Sequence, residues 1–110
     1  MNSKKKIFLR PGTGAARMIE DIIGCKWSLT VLGLVAAGVQ RPGAMQRRTP
    51  GLSAKVLNER LRKLLRFGII EREVFAEVPP RVEYRLTPFG RQFEGVLREI
   101  ALLDESRGPG

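Results

Sequence analysis

The stretch from Thr49 to Gly68 constrains this chain more than any other. Pro50 and Gly51 break whatever regular structure precedes them. Ser53 is then free to cap a new helix, its hydroxyl accepting from an orphan backbone N–H in the first turn. Leu57, Leu61 and Leu64 recur at helical spacing, Val56 and Leu65 widen the apolar stripe, and Gly68 supplies a C-terminal stop. The opposite face holds Lys55, Asn58, Glu59, Arg62, Lys63 and Arg66. Basic and amide side chains contact phosphates and base edges. They equally make the solvated face of an ordinary core helix. The flanking segments decide between these readings.

After Gly68 the hydrophobic period changes from 3.6 to 2. Ile70, Arg72 and Val74 alternate with Glu71, Glu73 and Phe75, and later Val82, Tyr84 and Leu86 alternate with Glu83 and Arg85. Two strands joined through Glu77-Val78-Pro79-Pro80 predict a hairpin, with the prolines at the tip because they cannot donate to a strand ladder. Ahead of Thr49, residues 43–48 leave room for a short helix carrying Arg47 and Arg48. A short helix, a Gly-containing turn, a second helix with a basic face and then a hairpin is the order of a winged helix-turn-helix. In that geometry the second helix enters the major groove near its N-terminal end and the first crosses the backbone.

The remaining segments supply a frame. Residues 1–14 form a basic arm containing Lys4, Lys5, Lys6 and Arg10, either tracking DNA or simply frayed. A helix over 15–23 presents Met18, Ile19, Ile22 and Ile23 on one side. A second, from Lys26 or Trp27 to Ala37, is apolar almost all round and so is expected to be the buried central helix. Val39 to Pro42 reads as a short extended piece. Thr87 and Pro88 open the last helix as N-cap and first residue, followed by Phe89, Phe93, Val96, Leu97, Ile100 and Leu103 at helical spacing. This stripe is longer than one small domain needs, which favours a dimer surface that includes Phe89, Phe93, Val96, Leu97 and Ile100 over packing within one chain. Residues 105–110 should fray. The expected class is therefore α+β, mostly α, with one domain over 15–104.

Composition narrows the chemistry. The formal charge is +9 over 110 residues, a large excess that favours a polyanionic partner. With no histidine and one cysteine, a zinc site lacks ligands and catalysis lacks its commonest general base. Neither a nucleophile elbow nor a phosphate-binding glycine loop is present. No enzyme, metal or cofactor is expected. No apolar run is long enough to span a membrane, and the start of the chain lacks a signal peptide's apolar core, so a cytoplasmic protein is expected.

The chain resembles the HxlR family of winged helix-turn-helix regulators. The similarity covers about residues 14 to 104 and rests on Ile-Gly-Cys-Lys-Trp-Ser-Leu at 23–29, Pro-Gly-Leu-Ser-Ala-Lys-Val-Leu-Asn-Glu-Arg-Leu-Arg at 50–62, Phe-Gly-Ile-Ile-Glu-Arg at 67–72 and Val-Pro-Pro-Arg-Val-Glu-Tyr-Arg-Leu-Thr-Pro-Phe-Gly at 78–90. The resemblance implies a homodimer joined through its first and last helices, which adds Met18 and Ile22 to the expected dimer surface, binding pseudo-palindromic operators in double-stranded DNA, with recognition helix 53–67 and wing 72–84. Many members of the family carry a cysteine just ahead of the first helix. That position falls near Gly14 here, and Cys25 instead replaces the second glycine of the usual Gly-Gly-Lys-Trp. Cys25 beside Lys26 at a helix start suits a reactive thiolate, and beside Ile23 and Trp27 it equally suits a small buried hydrophobe.

The expected DNA-binding set is Arg47, Arg48, Ser53, Ala54, Lys55, Asn58, Glu59, Arg62, Arg72 and Arg81. Arg47, Arg48, Lys55, Arg72 and Arg81 would hold phosphates, with Arg72 open to capture by Glu71 and Glu73. Asn58, Lys55 and Arg62 would read bases. The alternative is a winged-helix protein-interaction module whose charge gives only non-specific nucleic-acid binding. The expected role of the DNA-binding dimer is that of a repressor.

Overall fold

The computed structural model describes residue 12 and residues 14–108. Its elements run α1 (Gly14–Ile23), α2 (Ser28–Ala36), α3 (Pro42–Arg48), α4 (Ala54–Arg66), β1 (Ile70–Phe75), β2 (Arg81–Leu86) and α5 (Pro88–Ser106). The class is mostly helical α+β, with one antiparallel hairpin, as the change of period after Gly68 predicts.

Helix α2 is the hub, packed against α1, α4, β2 and α5. Val31, Leu32 and Val35 meet Leu57, Leu61 and Leu64 of α4, together with Ile22, Met45, Ile69 and Phe93, in one core cluster. Fully burying each such side chain contributes about 2 kcal/mol, so the leucine stripe holds α4 in place and leaves its other face to solvent. Helix α2 is not buried all round, however. Leu29, Gly33 and Ala36 form an exposed strip along it, because four neighbours around a nine-residue helix leave one side uncovered.

Local signals position the site. The Ser53 hydroxyl accepts from the Val56 N–H at 3.1 Å, setting where α4 begins. Gly68 has φ +72° just after the Phe67 C-cap and releases the chain into β1. The Thr87 hydroxyl accepts from the Gly90 N–H at 2.9 Å, and its own proton is donated to the Gly68 carbonyl at 2.5 Å. This one side chain ties the start of α5 to the base of the hairpin.

Three boundaries differ from expectation. Pro42 does not hold an extended piece but opens α3, where its missing N–H costs nothing. Helix α2 starts only at Ser28, because Trp27 sits in the left-handed region at φ +76°, a conformation that costs a bulky residue on the order of 1–2 kcal/mol. Helix α5 continues to Ser106, so the first residues of the expected frayed tail are helical. The expected basic arm lies almost wholly outside the described residues.

Candidate nucleic-acid interface

Lys55, Asn58, Arg62 and Arg66 recur at spacings of three and four along α4, with Glu59 next to Asn58, and all five are exposed. Ser53 and Ala54 stand at the helix start, also exposed. Ahead of them, Arg47 and Arg48 occupy the last turn of α3, where cations complement the helix dipole. Among the described residues none of these basic groups has a carboxylate partner.

Lys63 departs from this face. Its ammonium turns to the α1–α2 connection and donates to the Asp21 carbonyl at 3.2 Å and to Cys25 Sγ at 2.8 Å. Arg60 does the same one turn earlier, its Nε donating to the Lys26 carbonyl at 2.8 Å. These two cations are fasteners, Lys63 on a carbonyl of the last turn of α1 and Arg60 on one in the connection to α2. They came from positions 34 to 42 residues away in the chain, a separation that leaves no periodic trace.

In the hairpin the register pairs Glu71 with Arg85, Arg72 with Tyr84, Glu73 with Glu83 and Phe75 with Arg81. One face of the ribbon is therefore a lattice of charges. Arg85 lies 2.8 Å from Glu71 and 2.7 Å from Glu73, and these hydrogen bonds to Glu71 and then Glu73 push its guanidinium further above its ordinary value. Arg81 lies 3.0 Å from Glu77 and 3.2 Å from Glu83, over the Phe75 ring at 3.9 Å from the centroid. Arg41 approaches Glu83 at 3.7 Å. Arg81, expected as a free phosphate contact, is thus occupied within the wing. Phe75 faces it from directly opposite in the ladder, and Glu83 shares its face two residues along the same strand.

Arg72 shows the reverse outcome. The glutamates beside it in sequence point to the other face and are taken by Arg85, so Arg72 has no ion pair among the described residues. It turns toward α4, where Asn58, Arg62, Leu65, Arg72 and Tyr84 line a hollow of about 290 Å³. Tyr84 is anchored there by its backbone N–H, which donates to the Gln40 carbonyl at 2.8 Å. Neither Tyr84 nor Arg85 belonged to the expected site; the hairpin register, once drawn, identifies both.

The apolar stripe of α5 divides in two. Val96, Ile100 and Leu103 are 58%, 52% and 65% exposed, Phe89 is also exposed, and Met18 and Leu97 are half-buried. Ile22 and Phe93, expected on the same outer surface, lie inside the protomer at 0% and 7%. The Phe93 ring stacks under that of Phe89 with centroids 6.4 Å apart, so the inner ring supports the outer one. Ile23 and Leu29 are exposed apolar residues that the expected set omitted. Cys25 is half-buried and stands three residues ahead of α2, not at its N-terminus.

Residues 22–108 match the model of the HxlR-like helix-turn-helix family. Over 106 residues the chain is 34% identical to the HTH-type transcriptional regulator YybR of Bacillus subtilis, covering 96% of this chain and 85% of that one. It is 46% identical over 79 residues to the HTH-type transcriptional regulator sll1512 of Synechocystis sp., which covers 72% of this chain. Of that relative's own length the match spans 58%, and of YtcD from Bacillus subtilis 61%. The fold superposes on a solved MarR-family transcriptional regulator from Enterococcus faecalis V583 with a TM-score of 0.79 and 32% identity, covering 94% of this chain and 93% of that one. With the family model matched from the end of α1 through α5, this chain belongs to the HxlR-like helix-turn-helix family.

Proposed function

We propose that this protein is a transcriptional regulator, acting in the cytoplasm as a homodimer that binds double-stranded DNA at a pseudo-palindromic operator and represses the adjacent gene. The observation that carries the reading is the segregation of charge. Cations on the outer face of the wing are paired with glutamates, while those at the end of α3 and along α4 have no carboxylate partner. A free basic face on a helix held by its leucine stripe suits the major groove of a duplex.

In this reading α4 enters the groove by its N-terminal half. Lys55 suits guanine, Asn58 adenine in a bidentate pair, and Glu59 the amino group of cytosine. Ser53 and Ala54 lie against the strand that the helix start approaches, and Arg47 and Arg48 hold the neighbouring phosphates. Two copies joined over Phe89, Val96, Leu97, Ile100 and Met18 would set their recognition helices about 34 Å apart, one turn of the duplex. Footprinting on the DNA upstream of its own gene tests this arrangement. Two protected half-sites one turn apart support it; Asn58→Ala should then relax preference at one or two base positions without abolishing binding. A single protected patch, or uniform loss on every sequence, contradicts it. In that case the interaction-module reading takes over, with the charge acting only as a non-specific attractant.

A second role, sensing of oxidants through Cys25, has one contact in its favour: the Lys63 ammonium lies 2.8 Å from the half-buried sulfur. Labelling of the native protein with a thiol reagent tests it. Modification of Cys25 that alters DNA affinity supports the role, and failure to label ends it.

A further inference from the structure

We propose that Arg62 and Arg72, with Asn58 and Tyr84 at the wall, form a seat for one phosphate group at the junction of α4 and the wing. Three observations converge. The two guanidinium side chains come from different elements, α4 and β1, yet line the same hollow of about 290 Å³. Neither has an ion pair or hydrogen bond among the described residues. The carboxylates that would ordinarily neutralise Arg72, Glu71 and Glu73, are bound to Arg85 on the opposite face.

Like charges gathered without a counter-charge call for an anion. The forked, planar guanidinium matches phosphate oxygens with paired hydrogen bonds, and two forks from different directions enclose one such group. The Tyr84 hydroxyl on the same wall has no protein partner among the described residues and is free to donate. Leu65 is the one aliphatic residue in the lining, so an apolar ligand has little to hold it.

The position along α4 favours the same answer. Arg62 stands seven residues beyond Lys55, about 10 Å further along the axis, and the major groove is about 12 Å wide. A helix entering by its N-terminus therefore brings Lys55 to the base edges and Arg62 to the bordering backbone. This takes Arg62 out of the base-reading role that its helix face suggested. The phosphate is either one of the bound duplex, in which case the inference rests on the regulator reading, or one carried by a small anion, in which case it does not.

The test uses the full chain, the single variants Arg62→Ala and Arg72→Ala, and the double variant. The first readout is thermal unfolding in phosphate against chloride at equal ionic strength. Phosphate should raise the wild-type midpoint by several degrees more than that of the double variant, and the difference should saturate. The second is affinity for a duplex. Each single variant should lose about tenfold on any sequence. The double should lose little more than either single, because both arginines hold the same group. If free phosphate also displaces DNA at constant ionic strength, the seat takes a small anion; if only the DNA coupling appears, it belongs to the duplex backbone. Phosphate stabilisation without any preference for upstream DNA would keep the seat and remove the regulator reading. Equal phosphate response in wild type and double variant, together with additive or absent losses on DNA, overturns the proposal.

Discussion

Arg85 holds Glu71 from across the hairpin at 2.8 Å, on the face of the ribbon opposite Arg72, and so neutralises a carboxylate next to Arg72 in sequence. The same guanidinium takes Glu73 at 2.7 Å. A residue on the face that turns away from α4 therefore governs how much positive charge the α4 side presents. The predicted consequence is that Arg85→Ala weakens DNA binding although Arg85 itself contacts none. Freed carboxylates on either side of Arg72 should lower affinity several-fold at low salt, with a smaller effect at high salt as screening grows. Adding Glu71→Gln and Glu73→Gln to Arg85→Ala should restore affinity in a fluorescence anisotropy titration. If affinity stays lost, Arg85 acts by direct contact instead.

Arg81 should behave unlike Arg47 and Arg48. Held by Glu77, Glu83 and the Phe75 ring, it releases no counterion on DNA binding. Arg81→Ala is expected to leave the slope of log K against log salt near that of the wild type while loosening the wing tip. Removing Arg47 or Arg48 should reduce that slope by about one each. A matching loss of slope for Arg81→Ala would show that it leaves its wing partners to meet a phosphate.

Two glycines of α5 should respond to alanine with opposite sign. A β-carbon on Gly90 would lie 1.8 Å from the Ile69 carbonyl oxygen, so helix and hairpin base must move apart. Gly90→Ala is expected to destabilise by about 3 kcal/mol, at the upper end of overpacking costs. Gly95 has nothing within 4 Å of that position, and Gly95→Ala should stabilise by about 0.5–1 kcal/mol through helix propensity. Urea unfolding of the two variants reads both signs.

Charge placed on the outer side of α5 should separate assembly from folding. Val96 and Ile100 are exposed one turn apart, so Val96→Glu with Ile100→Glu should leave the melting of the protomer nearly unchanged. Sedimentation should then give the monomer mass, with operator affinity falling at least tenfold as bivalency is lost. Phe93→Glu serves as the contrast: with its ring inside the core, it should unfold the protein instead.

What was legible in the sequence follows from range. Ser53 and Thr87 announce their helices because a cap bonds three residues ahead, and Leu57, Leu61 and Leu64 reveal the buried side of α4 by spacing alone. The wing was visible in its alternation and its paired prolines. Which of its arginines remained free was not, since that depends on cross-strand register: Glu71 meets Arg85 only after the residues between β1 and β2 have closed into a turn. The same holds for Lys63, read from its spacing as part of a basic face yet bonded to α1, and for Arg60, which the helical spacing singled out for nothing and which bonds to the connection between α1 and α2. Trp27 at φ +76° shortened α2 for a reason no propensity anticipates. Ile22 and Phe93 share helical spacing with exposed neighbours, and the neighbouring helices decide which side of the stripe is covered.

The most direct test of DNA recognition is binding of the full chain to the DNA upstream of its own gene and to a random duplex, each titrated across salt. Tight binding to the upstream fragment, steeply weakened by salt and at least a hundredfold stronger than on random sequence at physiological ionic strength, is the predicted result. Equal, weak binding to both duplexes would contradict it and leave the basic face of α4 as a non-specific attractant for nucleic acid.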